Sequence, residues 1–120
     1  MYGIPSDLNY ASMIGEITTQ ICVGPFDLQF TLGDFRFIVQ SPIELFKDGI
    51  PVGGWDGASW PDTAFYDLMN AAVTGVDLPN DKTMRISFEN GLVAELVDDS
   101  DKYETMQIIV GKAPGAIYIV

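Results

Sequence analysis

The sequence predicts an α+β fold: mainly antiparallel β-sheet, made of two similar hairpin units, with one principal helix packed on the sheet. Three observations carry that expectation. Residues 83–97 read as a hairpin whose register follows from burial alone. Residues 28–39 read as a second hairpin of the same kind. Between them, Ala64, Phe65, Leu68, Met69 and Ala72 fall near one face of a helix expected over about 62–71, with Asp62 as its cap. The chain has 120 residues, enough for one core, and points to a single domain over 1–120.

In the 83–97 hairpin, a three-residue loop at Glu89-Asn90-Gly91 sets Phe88 opposite Leu92, Ile86 opposite Ala94 and Met84 opposite Leu96. Every residue on that face is apolar, while the other face pairs Arg85 with Glu95 and Ser87 with Val93. A two-residue loop at Asn90-Gly91 would put Glu95 beside Ile86 on the buried face. A one-residue slip exchanges the two faces, so the first register is favoured. Gly91 then takes the left-handed conformation that closes the loop. In the earlier hairpin Gly33-Asp34 is a two-residue turn. It sets Leu32 opposite Phe35, Phe30 opposite Phe37 and Leu28 opposite Val39, with Arg36 near Thr31 and Ile38 near Gln29 on the wetter face.

The rest of the chain is read more coarsely. Residues 10–14 suggest a helical turn, and 17–23 a strand stopped by Gly24-Pro25. Residues 43–46 suggest a short strand or turn. Residues 47–61 are the least regular, with four glycines, two prolines and both tryptophans. Trp55 and Trp60 are either a recognition patch or plugs that close the end of the core. Strands are expected at 73–78, 104–110 and 116–120. The two halves resemble each other: each has a strand, a turn containing Pro and a hairpin with Phe near its turn. This suggests a duplicated β-unit with the helix between copies.

Charge is the strongest global signal. Seventeen acids stand against six basic residues, for a net charge of −11. Such a surface repels nucleic acid and anionic membrane, and favours a basic partner bound in a salt-dependent way. With no histidine, there is no His-based triad and no imidazole metal site or base. No P-loop, GxGxxG or EF-hand spacing appears, and Asp98-Asp99-Ser100-Asp101 lacks the glycine and terminal Glu of a calcium loop. No metal, cofactor or catalytic residue is expected. Cys22 lies in an apolar run and reads as a buried structural thiol. No apolar run is long enough to span a membrane and no signal-peptide pattern opens the chain, so a cytoplasmic location is expected.

Several stretches together resemble a bacterial domain-of-unknown-function family and, more loosely, the immunity proteins of polymorphic toxin and contact-dependent inhibition systems. They are residues 14–23, Leu28-Gln29-Phe30, residues 86–92 and, most distinctive, residues 98–108 with Lys102-Tyr103-Glu104-Thr105. The resemblance covers most of the chain from 14 to 119 and carries no catalytic residues. It implies a non-catalytic protein that neutralises a cognate basic toxin, a nuclease, by occupying its phosphate-binding site with carboxylates. The partner-binding residues expected on this reading are Asp98, Asp99, Asp101, Glu104 and Glu95, with Trp55 and Trp60. The bland alternative for residues 98–101 is a solvated turn in which an Asp caps its own backbone. Two other functions are weighed. One is an accessory subunit of a larger assembly, binding by a sheet edge or the tryptophan loop. The other is a glycosidase-like enzyme with paired carboxylates, disfavoured because nothing near the acidic turn raises a pKa.

Overall fold

The computed structural model describes residues 3–6, 8–100, 105–111 and 116–120. It corrects the expected α+β fold: the chain is an antiparallel β-sandwich, and among the described residues there is no α-helix. Among the described residues ten strands form two five-stranded sheets: β1 Thr18–Val23, β2 Leu28–Leu32, β3 Phe35–Val39, β4 Ile43–Lys47, β5 Ile50–Trp55, β6 Val73–Asn80, β7 Thr83–Phe88, β8 Leu92–Val97, β9 Met106–Val110 and β10 Ala116–Ile119. The first sheet has the order β1-β2-β3-β9-β10 and the second β5-β4-β8-β7-β6. Among the described residues no helix is long and apolar enough to cross a membrane.

The expected principal helix does not form. Only a 3₁₀ turn forms, over Thr63–Leu68, and its buried residues are Phe65 and Leu68, three apart as that winding requires. Asp62 makes no cap bond. Its carboxylate instead accepts the Gly54 backbone N–H at 2.9 Å. The chain turns extended at Met69 and left-handed at Asn70 (φ 66°). Met69 and Ala72 are thereby free to bridge Thr18 and Ile17, contacts a continuing helix would forbid.

Both deduced hairpin registers are those observed. Leu28, Phe30 and Leu32 face Val39, Phe37 and Phe35, and Met84 and Ile86 face Leu96 and Ala94. Gly91 has φ 87°. These residues point into one interior shared by the sheets, where Phe37, Leu28, Leu32, Ile86 and Leu96 are fully buried. Phe30 stacks on Phe37 with ring centroids 4.9 Å apart.

Two further expectations need correction. Residues 47–61 are not mostly irregular: Asp48 (φ 52°) and Gly49 (φ 81°) make a two-residue turn into β5. Pro51 and Gly53 hide that strand in the sequence, yet an edge strand tolerates both. Cys22 is exposed rather than buried, because β1 is an edge strand and Cys22 lies opposite Gln29 on its outer face.

The suspected duplication has a clear topology. β1-β2-β3 is a meander in the first sheet and β6-β7-β8 a meander in the second. Each half then sends its last hairpin across: β4-β5 joins the second sheet beside β8, and β9-β10 joins the first beside β3. Details match in kind. The strand bulges between Thr18 and Gln20 have a counterpart between Val73 and Gly75. Each half opens with a 3₁₀ turn, followed by extended Ile14 then Gly15 (φ 90°) in one and extended Met69 then Asn70 (φ 66°) in the other. Gly15 N–H donates to Val73 C=O at 2.8 Å and Asn70 N–H to Thr18 C=O at 3.4 Å, so each half contacts the other in the same way. The helical turn is thus the start of the second copy rather than an insert between copies.

Asp98 ties the sheets together where β8 hands over to β9. It is 3% exposed. Its carboxylate accepts the Thr105 hydroxyl at 2.9 Å and the Lys82 ammonium at 3.3 Å, and its N–H donates to Lys82 C=O at 2.7 Å. Burial by itself would push this carboxyl up. Hydrogen bonding led by the Thr105 hydroxyl, with Lys82 among the smaller contributions, holds it below its ordinary value of 3.8. By register Ser41 and Pro42 are the first-half counterparts of Asp98 and Thr105. Proline offers no hydroxyl, and the buried Ser41 Oγ has no hydrogen-bond partner among the described residues.

Asp98→Asn should therefore cost about 1–3 kcal/mol at neutral pH, measured by urea unfolding. Because the folded carboxyl is the stronger acid, its contribution is complete above the unfolded Asp value of about 4 and is lost as pH falls through the folded one. The gap between the two proteins should narrow as pH falls below about 4 and through the lowered folded value. A gap that stays constant into acid would assign the effect to packing.

Candidate functional site: the Trp60 end and the acidic sheet face

The two tryptophans part company. Trp55 ends β5 opposite Ile43, is 4% exposed and plugs the core. Its counterpart at the end of β10 is Val120, also buried. Trp60 is 78% exposed. The loop that carries it is anchored on both sides. The Asp56 carboxylate accepts the Ala58 N–H at 2.9 Å, and Asp62 and Gly54 exchange two hydrogen bonds. Gly53 permits this approach, since a Cβ there would lie 2.8 Å from the Asp62 Cβ.

Three shallow clefts meet at Trp60. One of about 430 Å³ runs to Glu44, Trp55, Asp56 and Asp62. One of about 390 Å³ runs to Gly24 and Pro25 beyond β1, and one of about 380 Å³ runs to Ile21, Phe65 and Tyr66. Tyr66 is itself 78% exposed. At the corresponding place in the first half the chain fills its own cleft. There Ile4 is buried and donates its N–H to Asp81 C=O at 2.7 Å, and the buried Tyr10 caps Phe35. The Trp60 end is the copy left open.

The cleft holding Glu44 continues onto the outer face of the second sheet. Pairing registers align Gly54, Glu44, Glu95, Arg85 and Asp77 in one row across five strands. Arg85 Nε donates to Glu95 at 2.9 Å. Glu44 lies directly opposite Glu95 and has no ion-pair partner among the described residues, a like-charge arrangement that costs stability. The outer face of the first sheet contrasts with it. Its rows are Gln20, Thr31, Arg36, Ile109, Ile117 and Cys22, Gln29, Ile38, Gln107, Ile119, with no carboxylate.

The residues expected to bind a partner therefore separate. Glu95 and Trp60 lie on this connected surface. Trp55 lies beneath it in the core, and Asp98 faces inward to Thr105. Asp99 is exposed at the end of β8, the same end of the second sheet where Asp56 follows β5. Asp101 and Glu104 lie outside the described residues. Glu44, Asp56, Asp77 and Tyr66 were not singled out in the sequence, and Asp62 entered only as a helix cap. Glu44 was within reach of it, since Ile43 and Leu45 alternate with Glu44 as a strand beside β8 requires. Among the described residues no group of three or more Asp, Glu or Cys side chains is placed to hold a metal ion.

The fold and site define an antiparallel β-sandwich with an aromatic end and an acidic flank. No protein-family model, curated protein or solved structure matches the chain.

The separation of the tryptophans is directly measurable. Trp55→Ala should cost about 3–5 kcal/mol of stability and Trp60→Ala no more than about 0.5 kcal/mol. In Trp55→Phe the remaining indole should emit at long wavelength and be quenched readily by acrylamide. In Trp60→Phe it should be blue-shifted and protected. Equal quenching of both would contradict the assignment.

Proposed function

We propose that this chain is a non-catalytic binding protein that takes a basic protein partner on the Trp60 end and the acidic face beside it. The reading rests on one observation: an exposed indole at the junction of three clefts, next to a row in which Arg85 pairs with Glu95 and Glu44 has no ion-pair partner among the described residues. An Arg or Lys side chain laid against Trp60 gains a cation–π contact, and its N–H groups find Glu44, Asp56 or Asp62 within the same cleft. The arriving cation also gives Glu44 the partner that Arg85 already gives Glu95. The net charge of −11 speeds encounter with such a partner.

The sequence resemblance supports a particular version of this reading. The partner is then a cognate bacterial toxin, a basic nuclease, and the carboxylate row stands in for phosphates in its active site. The protein would work in the cytoplasm as an immunity protein, without cofactor or chemistry of its own. A second reading, an accessory subunit that binds through a sheet edge, draws support from the unpaired β10 with Ile117 and Ile119 exposed.

With this protein as bait in a lysate of its source, a small basic protein should be captured at low salt and released at high salt. Trp60→Ala should weaken the isolated complex by about 2 kcal/mol or more, roughly thirtyfold in Kd. Glu44→Lys should weaken it at least ~tenfold at low salt and less as salt rises. A basic partner whose affinity ignores both substitutions would refute this placement.

A further inference from the structure

The outer face of the first sheet plays no part in the acidic site, and its chemistry is of the opposite kind. We propose that β10 is a self-association edge, through which two copies of this chain pair antiparallel and run their first sheets into one. Charge selects the occupant. In a chain of net charge −11 a second copy must approach where neither surface presents carboxylates, and the two outer rows of this sheet hold none. A basic protein is drawn instead to the second sheet.

The edge itself is fit for pairing. Over its four residues β10 carries no proline, no charge and no bulge, three of the devices that blunt an edge. Its counterpart β5 has Pro51 and a register break opposite Leu45 and Phe46. The residue that follows β10 is tied back to β9: Val120 N–H donates to Met106 C=O and Thr105 N–H to Val120 C=O, each at 2.9 Å. Register follows from the faces. Outer residues must meet outer residues, and the pairing that engages both isoleucines sets Ile117 opposite the partner's Ile119, with Tyr118 at the two-fold axis. Ile117 (59% exposed) and Ile119 (45% exposed) of both copies then form one apolar patch, which Ile109 beside Ile117 extends in each. The contact is smaller than a standard interface, so the dimer is a weak, concentration-dependent one.

Sedimentation velocity of the full chain, from about 5 to about 500 μM at low and high salt, tests this. Dimer should appear within that range and tighten as salt rises, because screening removes the repulsion between two −11 chains and leaves the apolar contact. This is the reverse of the salt effect on a basic partner, so either reading can fail without the other. Ile117→Lys and Ile119→Lys should each weaken the dimer at least ~tenfold while keeping the wild-type circular dichroism and thermal transition. Trp60→Ala should dimerise like wild type. A monomer throughout, a dimer dissolved by salt, or one indifferent to both lysines would each overturn the proposal.

Discussion

Leu28, Phe30 and Leu32 in one sheet, and Met84, Ile86 and Leu96 in the other, have no water-free place to go except the space between the sheets. Neither half of the chain can close that space alone. A three-stranded meander covers one side of a core, and the strand that completes its sheet belongs to the other half: β9 beside β3, β4 beside β8. The exchanged hairpins are thus a consequence of burial and not an ornament of topology. The two crossings are tied unequally. At one, Asp98 secures Thr105 and Lys82; at the other, Pro42 leaves Ser41 without the equivalent bond.

A sandwich with a dry interior has two outer faces left to specialise, and here they diverge. The second sheet presents Glu44, Glu95, Arg85 and Asp77 in a row that reaches the Trp60 clefts. The first presents glutamines, threonine and isoleucines around a single Arg36. A pseudo-symmetric scaffold supplies the same backbone twice. Differences between corresponding ends, with Ile4 buried at one and Trp60 exposed at the other, convert one copy into packing and the other into a site.

Much of this was legible from alternation. A period of two with one polar face determines register, and both hairpins could be paired residue by residue because a slip would bury Glu95 or expose Phe37. The duplication showed as an echo of strand, Pro-containing turn and hairpin. What misled was spacing without length: Phe65 and Leu68 suit a helix or a 3₁₀ turn equally, and only the bridges from Met69 and Ala72 to β1 decide between them. β5 was hidden because Pro51 and Gly53 normally break a strand, and the sequence does not say which strands lie at edges. The acidic row was hidden for a related reason. Glu44 and Glu95 are far apart in sequence, and their contact depends on a crossing that local patterns do not encode. Of the acidic turn, Asp98 looked like surface because its neighbours are acidic; its partner Thr105 is reached only across the sheets.

The exchanged hairpins also order events in time. During synthesis β1, β2 and β3 can pair as soon as they emerge, but β3 must keep an unsatisfied edge until β9 is made more than sixty residues later. Contacts this distant in sequence carry a loop-closure cost before any reward, so folding should be slow for a chain of this size and gated by the last hairpin. Until then Phe35, Phe37 and Val39 form the side of an open apolar strand, the kind of segment on which nascent chains aggregate. A strongly acidic sequence keeps such intermediates apart in solution. The charge that fits the finished protein for a basic partner also protects the unfinished one from its own copies.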